Sequence, residues 1–283
     1  KMLRHKKIET ASKTGVLSLT EHNLSSVPER VFMLKTLRTL DLSNNKIKFL
    51  PGQLSTLKNI KTLKLESNKL KKGSLRPVSD LSNLATLTLS NNKLGLERDD
   101  EGKQIRAEVL PPLPQSLKQL KLDSNYFQSV PRAIYAANLI KLEKIDLSRN
   151  NLAAIPEDFC IHLKSLVEVN LNNNSIVSLP QAVGQLKKLK SLSLENNKIT
   201  VNTTSKHNKG TRTNFSDQNP QPLPAPLFTE TPLIDLNLKG NALTNTQLNE
   251  FEGFGVFLER RQTLKSKNIY GGALTDLSVC GLE

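Results

Sequence analysis

The stretch L-E-K-I-D-L-S-R-N-N-L-A-A-I-P, residues Leu142 to Pro156, decides how the whole chain is read. Apolar residues stand at Leu142, Ile145, Leu147, Leu152 and Ile155, with an asparagine at Asn150. Ile145 and Leu147 flank Asp146, the alternation of a short strand with one face inward and one face outward. Asn150 carries two donors and an acceptor, which suits a turn whose backbone groups need partners. Ile155-Pro156 then breaks the strand pattern and opens a different segment.

The same spacing, L-x-x-L-x-L-x-x-N-x-L-x-x-L-P, recurs down the sequence. Asn45, Asn68, Asn92, Asn125, Asn150, Asn174, Asn197 and Asn241 mark it, and His22 takes the asparagine's place in a worn first copy. Most marks are 23 to 25 residues apart, with two longer steps of 33 and 44. A period near 24 is that of a leucine-rich repeat. The fold class expected is therefore an α/β solenoid, a leucine-rich repeat horseshoe of about nine repeats. Its parallel β-sheet would line the concave face, with short helices or 3₁₀ turns on the convex face and helical caps at both ends. Proline at Pro51, Pro131, Pro156 and Pro180 fits the first position of a convex helical turn.

Composition agrees with a stacked interior. Hydrophobic residues make up 37% of the 283 but aromatics only 4%, with no tryptophan, so aliphatic side chains must fill a narrow core. Lys and Arg number 40 against 26 Asp and Glu, a net charge of +14 that favours acidic partners, anionic lipid or nucleic acid. Cys160 and Cys280 are too few and too far apart for a disulfide framework. With no apolar run long enough to span a bilayer, the compartment expected is reducing and cytoplasmic, with association at a membrane surface as the second reading.

Residues 1–14 read as an N-terminal capping segment, ending in a helix stopped by Gly15. The array runs over 15–245, with insertions near 95–115 and 201–226. Residues 246–267 read as a C-terminal helical cap rich in phenylalanine, and 268–283 as a flexible tail. The first insertion is expected to protrude as a loop and the second to lack fixed structure. Their prolines, Pro111 to Pro114 and Pro220 to Pro226, read as stiff extended linkers, with SH3-type ligands as the lesser reading.

The lead-in I-E-T-A-S-K-T-G-V-L-S-L (Ile8 to Leu19) and the exit L-N-E-F-E-G-F-G-V-F-L-E-R-R (Leu248 to Arg261) add to this. Together they resemble the family of leucine-rich repeat-containing protein 57, small intracellular proteins without an enzymatic domain. The resemblance implies a non-enzymatic adaptor. The family's myristoylated N-terminal glycine has no counterpart in this sequence and is not carried over.

Catalytic chemistry is not legible. His5, His22, His162 and His207 form no metal spacing with the cysteines, and no cofactor is expected. Cys160 and His162, two residues apart, have poor geometry for a nucleophile and its base, and Cys160 reads as a buried structural thiol. The ending C-G-L-E fits a prenylation box badly. The concave face is the better candidate. Its outward residues include Arg38, Asp41, Lys61, Lys64 and Lys118, then Lys121, Asp123, Asp146 and Arg149. Charges of both signs without aromatics suit another protein as partner and make nucleic acid a poor one. The chain by itself is expected to be a monomer. The second reading is a peripheral adaptor that meets an anionic membrane surface through its basic N-terminal half. Lys46, Lys69, Lys93 and Lys198, each directly after a repeat asparagine, carry that reading.

Overall fold

The computed structural model describes residues 2–96, 110–201, 221–268 and 279–282. The chain divides into two compact units, Lys1–Asn151 and Leu152–Glu283.

In the first unit the alternation Leu-x-Leu sets six strands: β1 (Val16–Ser18), β2 (Thr39–Asp41), β3 (Thr62–Lys64), β4 (Thr86–Thr88), β5 (Gln119–Lys121) and β6 (Lys144–Asp146). All pair in parallel and in chain order, with no register slip, so Leu17, Leu40, Leu63, Leu87, Leu120 and Ile145 form one inward row. Each of these is at most 2% exposed. The strands are short because the turn after each pair of leucines is fixed by an asparagine. Asn68 accepts from the Ile47 amide at 3.0 Å and donates to the Leu42 carbonyl at 3.0 Å, one repeat back. Asn45, Asn92, Asn125 and Asn150 repeat that arrangement.

Helix α1 (Met2–Thr14) packs against β1. Ala11 is its fully buried contact. The helix stops where Gly15 turns left-handed (φ 71°) and its amide bonds the Ala11 carbonyl at 2.9 Å. Opposite the sheet lie 3₁₀ turns at Glu29–Met33, Gly52–Thr56 and Arg76–Asp80, and helix α2 (Arg132–Ala136).

The second unit repeats the plan with β7 (Glu168–Asn170), β8 (Ser191–Ser193) and β9 (Asp235–Asn237), parallel and in register. Its outer segments are α3 (Glu157–His162), a 3₁₀ turn at Gln181–Gln185 and α4 (Ala225–Thr229). Helices α5 (Asn245–Asn249) and α6 (Phe254–Asn268) follow.

Proline stands one residue earlier than expected. Pro28, Pro51, Pro131, Pro156, Pro180 and Pro224 occupy the N-cap, not the first helical position. Their carbonyls accept the first bond of each turn at 2.9–3.1 Å, while the extended ψ that proline prefers turns the chain into it.

The proline segments are not linkers. Pro114 is buried and accepts from the Leu117 amide at 3.1 Å. Pro222 accepts from Leu179 at 2.9 Å, and Leu223, Leu227 and Phe228 are fully buried behind it. These residues complete repeats, which removes them as SH3-type ligands. The expected loop and unstructured insertion otherwise fall at 97–109 and 202–220, outside the described residues.

The C-terminal region differs from a single helix. Gly253 (φ 81°) separates α5 from α6, and a Cβ there would stand 2.7 Å from Thr229 Cγ2. Thr244 and Gln247 close a capping box on α5. Phe228, Phe254 and Phe257 pack with centroids 5.5–6.1 Å apart, all buried. The end of the expected tail is also ordered by contact. The Cys280 carbonyl accepts from Leu238 at 2.8 Å, and Cys280 and Leu282 are buried. Residues 269–278 of that tail lie outside the described residues.

Candidate interaction face

The outward residues of the first unit stand in straight rows because the register never slips. The central row runs Ser18, Asp41, Lys64, Thr88, Lys121 and Asp146 across β1 to β6. One residue before the strands runs a second row, Gly15, Arg38, Lys61, Ala85, Lys118 and Glu143. Each carbonyl in it accepts from the next amide at 2.8 Å. The structure thus gathers seven of the nine expected residues into two rows, and Asp123 adjoins them just after β5. In the second unit the central row is Asn170, Ser193 and Asn237.

Arg149 is the exception. It was expected on the face, but it holds the left-handed position of a turn (φ 52°), beyond the strand. The same position carries Glu21, Asn44, Ser67, Asn91 and Ser124 in the first unit, and Asn173, Asn196 and Gly240 in the second. A left-handed residue two places after the last strand leucine is a fixed property of the repeat turn, and Arg149 is there as part of it.

The carboxylates are engaged within the protein. Asp41 Oδ1 accepts from the Ser43 amide at 3.0 Å, and Lys64 Nζ lies 3.9 Å from Asp41 Oδ2. Asp146 Oδ1 accepts from the Ser148 amide at 2.9 Å and from its hydroxyl at 2.7 Å. Asp123 accepts from the hydroxyls of Ser90 and Ser124. In the second unit Asn170 and Asn237 bond the amides of Asn172 and Lys239 in the same way. These are Asx turns, and the signal was present in the sequence as D-L-S, N-L-N and N-L-K.

The cations are differently placed. Arg38, Lys61 and Lys118 are exposed and Lys121 is half-buried. Among the described residues none of these four side chains has a hydrogen bond or an ion pair. Between Lys64 and Lys121 sits Thr88, only 4% exposed, whose buried hydroxyl has no partner. Nothing in the repeat spacing sets Thr88 apart, and it is absent from the residues expected on the face.

Both thiols are free and buried. Burial, with the Glu157 carboxylate adding to it, pushes the Cys160 thiol up to about 12. His162 is exposed and its Nδ1 is 2.8 Å from the Asp158 carbonyl, a bond within its own helix. Burial pushes Cys280 up to about 12 as well, with Arg261 opposing and Asp235 adding. Among the described residues no three of His, Cys, Asp and Glu cluster to hold a metal ion. No helix among them is long and apolar enough to cross a membrane.

Parallel strands in register, an asparagine in each turn after the first and short outer helices define a repeat protein of the leucine-rich class. A family model described as "Leucine rich repeat" matches residues 13–70, 115–176 and 140–199, together a little over half of the chain. The chain belongs to the leucine-rich repeat family, whose members generally act as protein-interaction scaffolds.

Keratocan of Coturnix japonica is 33% identical over 144 residues, covering 48% of this chain and 40% of keratocan. Leucine-rich repeat and calponin homology domain-containing protein 1 of Mus musculus is 41% identical over 98 residues, 34% of this chain and 13% of that protein. The chain therefore spans well under half the length of these relatives. Among solved structures, internalin C2 of Listeria monocytogenes superposes with a TM-score of 0.57 at 20% identity. That match covers 71% of this chain and 86% of the other, a likeness of fold.

Proposed function

We propose that the protein is a non-enzymatic scaffold or adaptor that holds another protein on the outward, concave face of its repeat sheet. The supporting observation is the pair of rows in the first unit. The side chains of Arg38, Lys61, Lys118 and Lys121 stand in fixed register with no partner among the described residues, while Asp41 and Asp146 serve turns. A folded sheet gains nothing from leaving four cations unengaged, whereas a partner gains complementary contacts. The cytoplasm as compartment is supported by two buried, unpaired cysteines. The end motifs support kinship with leucine-rich repeat-containing protein 57.

Affinity purification with the chain, alone and with Lys61, Lys64, Lys118 and Lys121 all changed to Glu, tests the reading. Partners are expected to be lost from the variant at an unchanged melting temperature. Identical recovery would place the contact elsewhere.

A second reading has its own observation. Lys46, Lys69 and Lys93 are exposed on consecutive repeats, and their amides bond Leu24, Ile47 and Leu70 in a continuous row. A peripheral adaptor would meet anionic lipid there. Sedimentation with vesicles that contain or lack phosphatidylserine separates the two. Equal binding to neutral vesicles rules out the electrostatic form.

A further inference from the structure

We propose that the centre of the first unit's sheet face is a seat for an acidic, extended segment of a partner protein. One carboxylate of that segment is held between Lys64 and Lys121 over the Thr88 hydroxyl. The inference rests on the sheet-face reading and names the partner's chemistry.

Three observations converge on β3 to β5. First, Thr88 lies in register between Lys64 and Lys121, so the two lysines flank it from neighbouring strands. Adjacent strands are roughly 5 Å apart, which puts their Cα atoms about 10 Å from each other, within reach of one shared anion on flexible stems. Second, the Thr88 hydroxyl is buried and has no partner. Ser43, the other buried hydroxyl without one, lies two residues after Asp41, as Ser148 lies after Asp146, so a rotamer change gives it an acceptor. Ser90, two residues after Thr88, is already bonded to Asp123. Valine has the shape of threonine and favours strands, so the fold itself does not call for a hydroxyl at this position. The hydroxyl is covered by its neighbours in the free protein, and an acidic group that displaces them between the lysines gives it an acceptor.

Third, from β2 to β5 the charge at the start of the strands is one-sided, with Glu143 following one repeat beyond Lys118. Arg38 and Lys61 are on adjacent repeats and Lys118 two repeats beyond Lys61. Asp41 already bonds the Ser43 amide and stands beside Lys64, while Glu66 and Asp123 lie past the far end of the strands. Lys61 and Lys118, like Lys64 and Lys121, repeat at two strand spacings. The midpoints of the two pairs, Ala85 and Thr88, are three residues apart along the strand, roughly 10 Å, and a polyproline-like segment presents every third side chain on one side at roughly 9 Å intervals. An acidic residue at every third position therefore meets both pairs.

The test uses the full chain and a fluorescein-labelled twelve-residue peptide, Glu-Pro-Pro repeated, read by anisotropy at low and moderate salt. A Lys-Pro-Pro peptide serves as the control. The acidic peptide is expected to bind and the basic one not to. Lys64→Gln with Lys121→Gln is expected to weaken binding by about tenfold. Thr88→Val is expected to weaken it severalfold while the melting temperature holds or rises, which separates lost binding from lost folding. Changing Lys46, Lys69 and Lys93 to Gln removes more charge and is expected to leave affinity within about twofold, since screening weakens distant charges. Equal loss in that edge variant would reduce the effect to net charge and overturn the seat. So would unchanged binding in Thr88→Val, or no binding of the acidic peptide. Phosphatidylserine vesicles that require Lys64 and Lys121 when the peptide does not would overturn it in favour of a membrane. If cellular partners stay sensitive to charge reversal of the face while the peptide fails, the face stands and the acidic partner falls.

Discussion

Asn68→Ala isolates what one rung of the asparagine ladder contributes. Asn68 is 7% exposed. Its Oδ1 accepts from the Ile47 amide at 3.0 Å, and its Nδ2 donates to the carbonyls of Leu42, Leu65 and Glu66 at 3.0–3.2 Å. The carbonyls all keep another donor after truncation. Leu42 retains Asn45 Nδ2 at 2.8 Å, Leu65 retains Asn92 Nδ2 at 2.9 Å, and Glu66 retains the Asn44 amide at 2.9 Å. The Ile47 amide loses its described acceptor. One orphaned buried donor costs about 1–3 kcal/mol, and three secondary bonds add a further fraction each, for a total of about 3 kcal/mol. At about 2–4 °C per kcal/mol for a unit of this size, the melting temperature falls by about 6–12 °C. Urea unfolding followed by far-ultraviolet circular dichroism gives the same quantity as a lower midpoint. Asn68→Asp sharpens the reasoning. It keeps the acceptor for Ile47 but directs a carboxylate at three carbonyls, which raises its protonation range above the ordinary value near 3.9. Its deficit is therefore smallest below about pH 4 and grows as pH rises through the elevated folded value. A change below about 0.5 kcal/mol for Asn68→Ala would refute the claim that the orphaned Ile47 amide dominates.

Arg149 sits left-handed at a turn position where four other repeats place asparagine, so Arg149→Asn is expected to stabilise by about 0.5–1 kcal/mol in thermal unfolding. No gain, or a loss, would mean that the arginine side chain makes a contact worth as much as the strain. Cys160 and Cys280 are expected not to react with a thiol reagent in the native protein and to react fully in denaturant. Each folded thiol is raised from 9.0 to about 12, so its contribution is complete below pH 9 and is lost as pH climbs toward 12. Stability measured from pH 8 to 11 should therefore fall more steeply in the chain than in a Cys160→Ala, Cys280→Ala variant.

The repeat and its inward rows were legible because they rest on a period that survives any surface change. Leu40, Leu63 and Leu87 need no partner other than each other. The sequence pattern failed where a residue's role depended on its neighbour's. Pro222 and Pro224 look like a linker alone, and become part of a repeat only once Leu223 and Phe228 are seen buried behind them. Cys280 looked like tail because no motif announces a carbonyl that will meet Leu238. Arg149 looked like a surface charge because its spacing from the strand was read without the turn's handedness.

The candidate face failed in a more instructive way. Counting charges made it mixed; tracing acceptors changes that. Asp41 holds the Ser43 amide, and in the second unit Asn170 and Asn237 do the same task with an uncharged amide. The turn thus needs an oxygen at this position and not a charge. Asp41→Asn keeps that oxygen, so the fold is expected to stay within about 0.5 kcal/mol of the parent, as for other surface changes. It also removes the carboxylate 3.9 Å from Lys64 Nζ, a half-exposed pair worth about 0–1 kcal/mol. Released from it, Lys64 offers its full charge beside Thr88, and the acidic peptide is expected to bind about two- to threefold more tightly at low salt, with the gain vanishing as salt screens it. If Asp41→Asn instead weakens that binding, the carboxylate is a contact for the partner, and the face recognises both signs of charge.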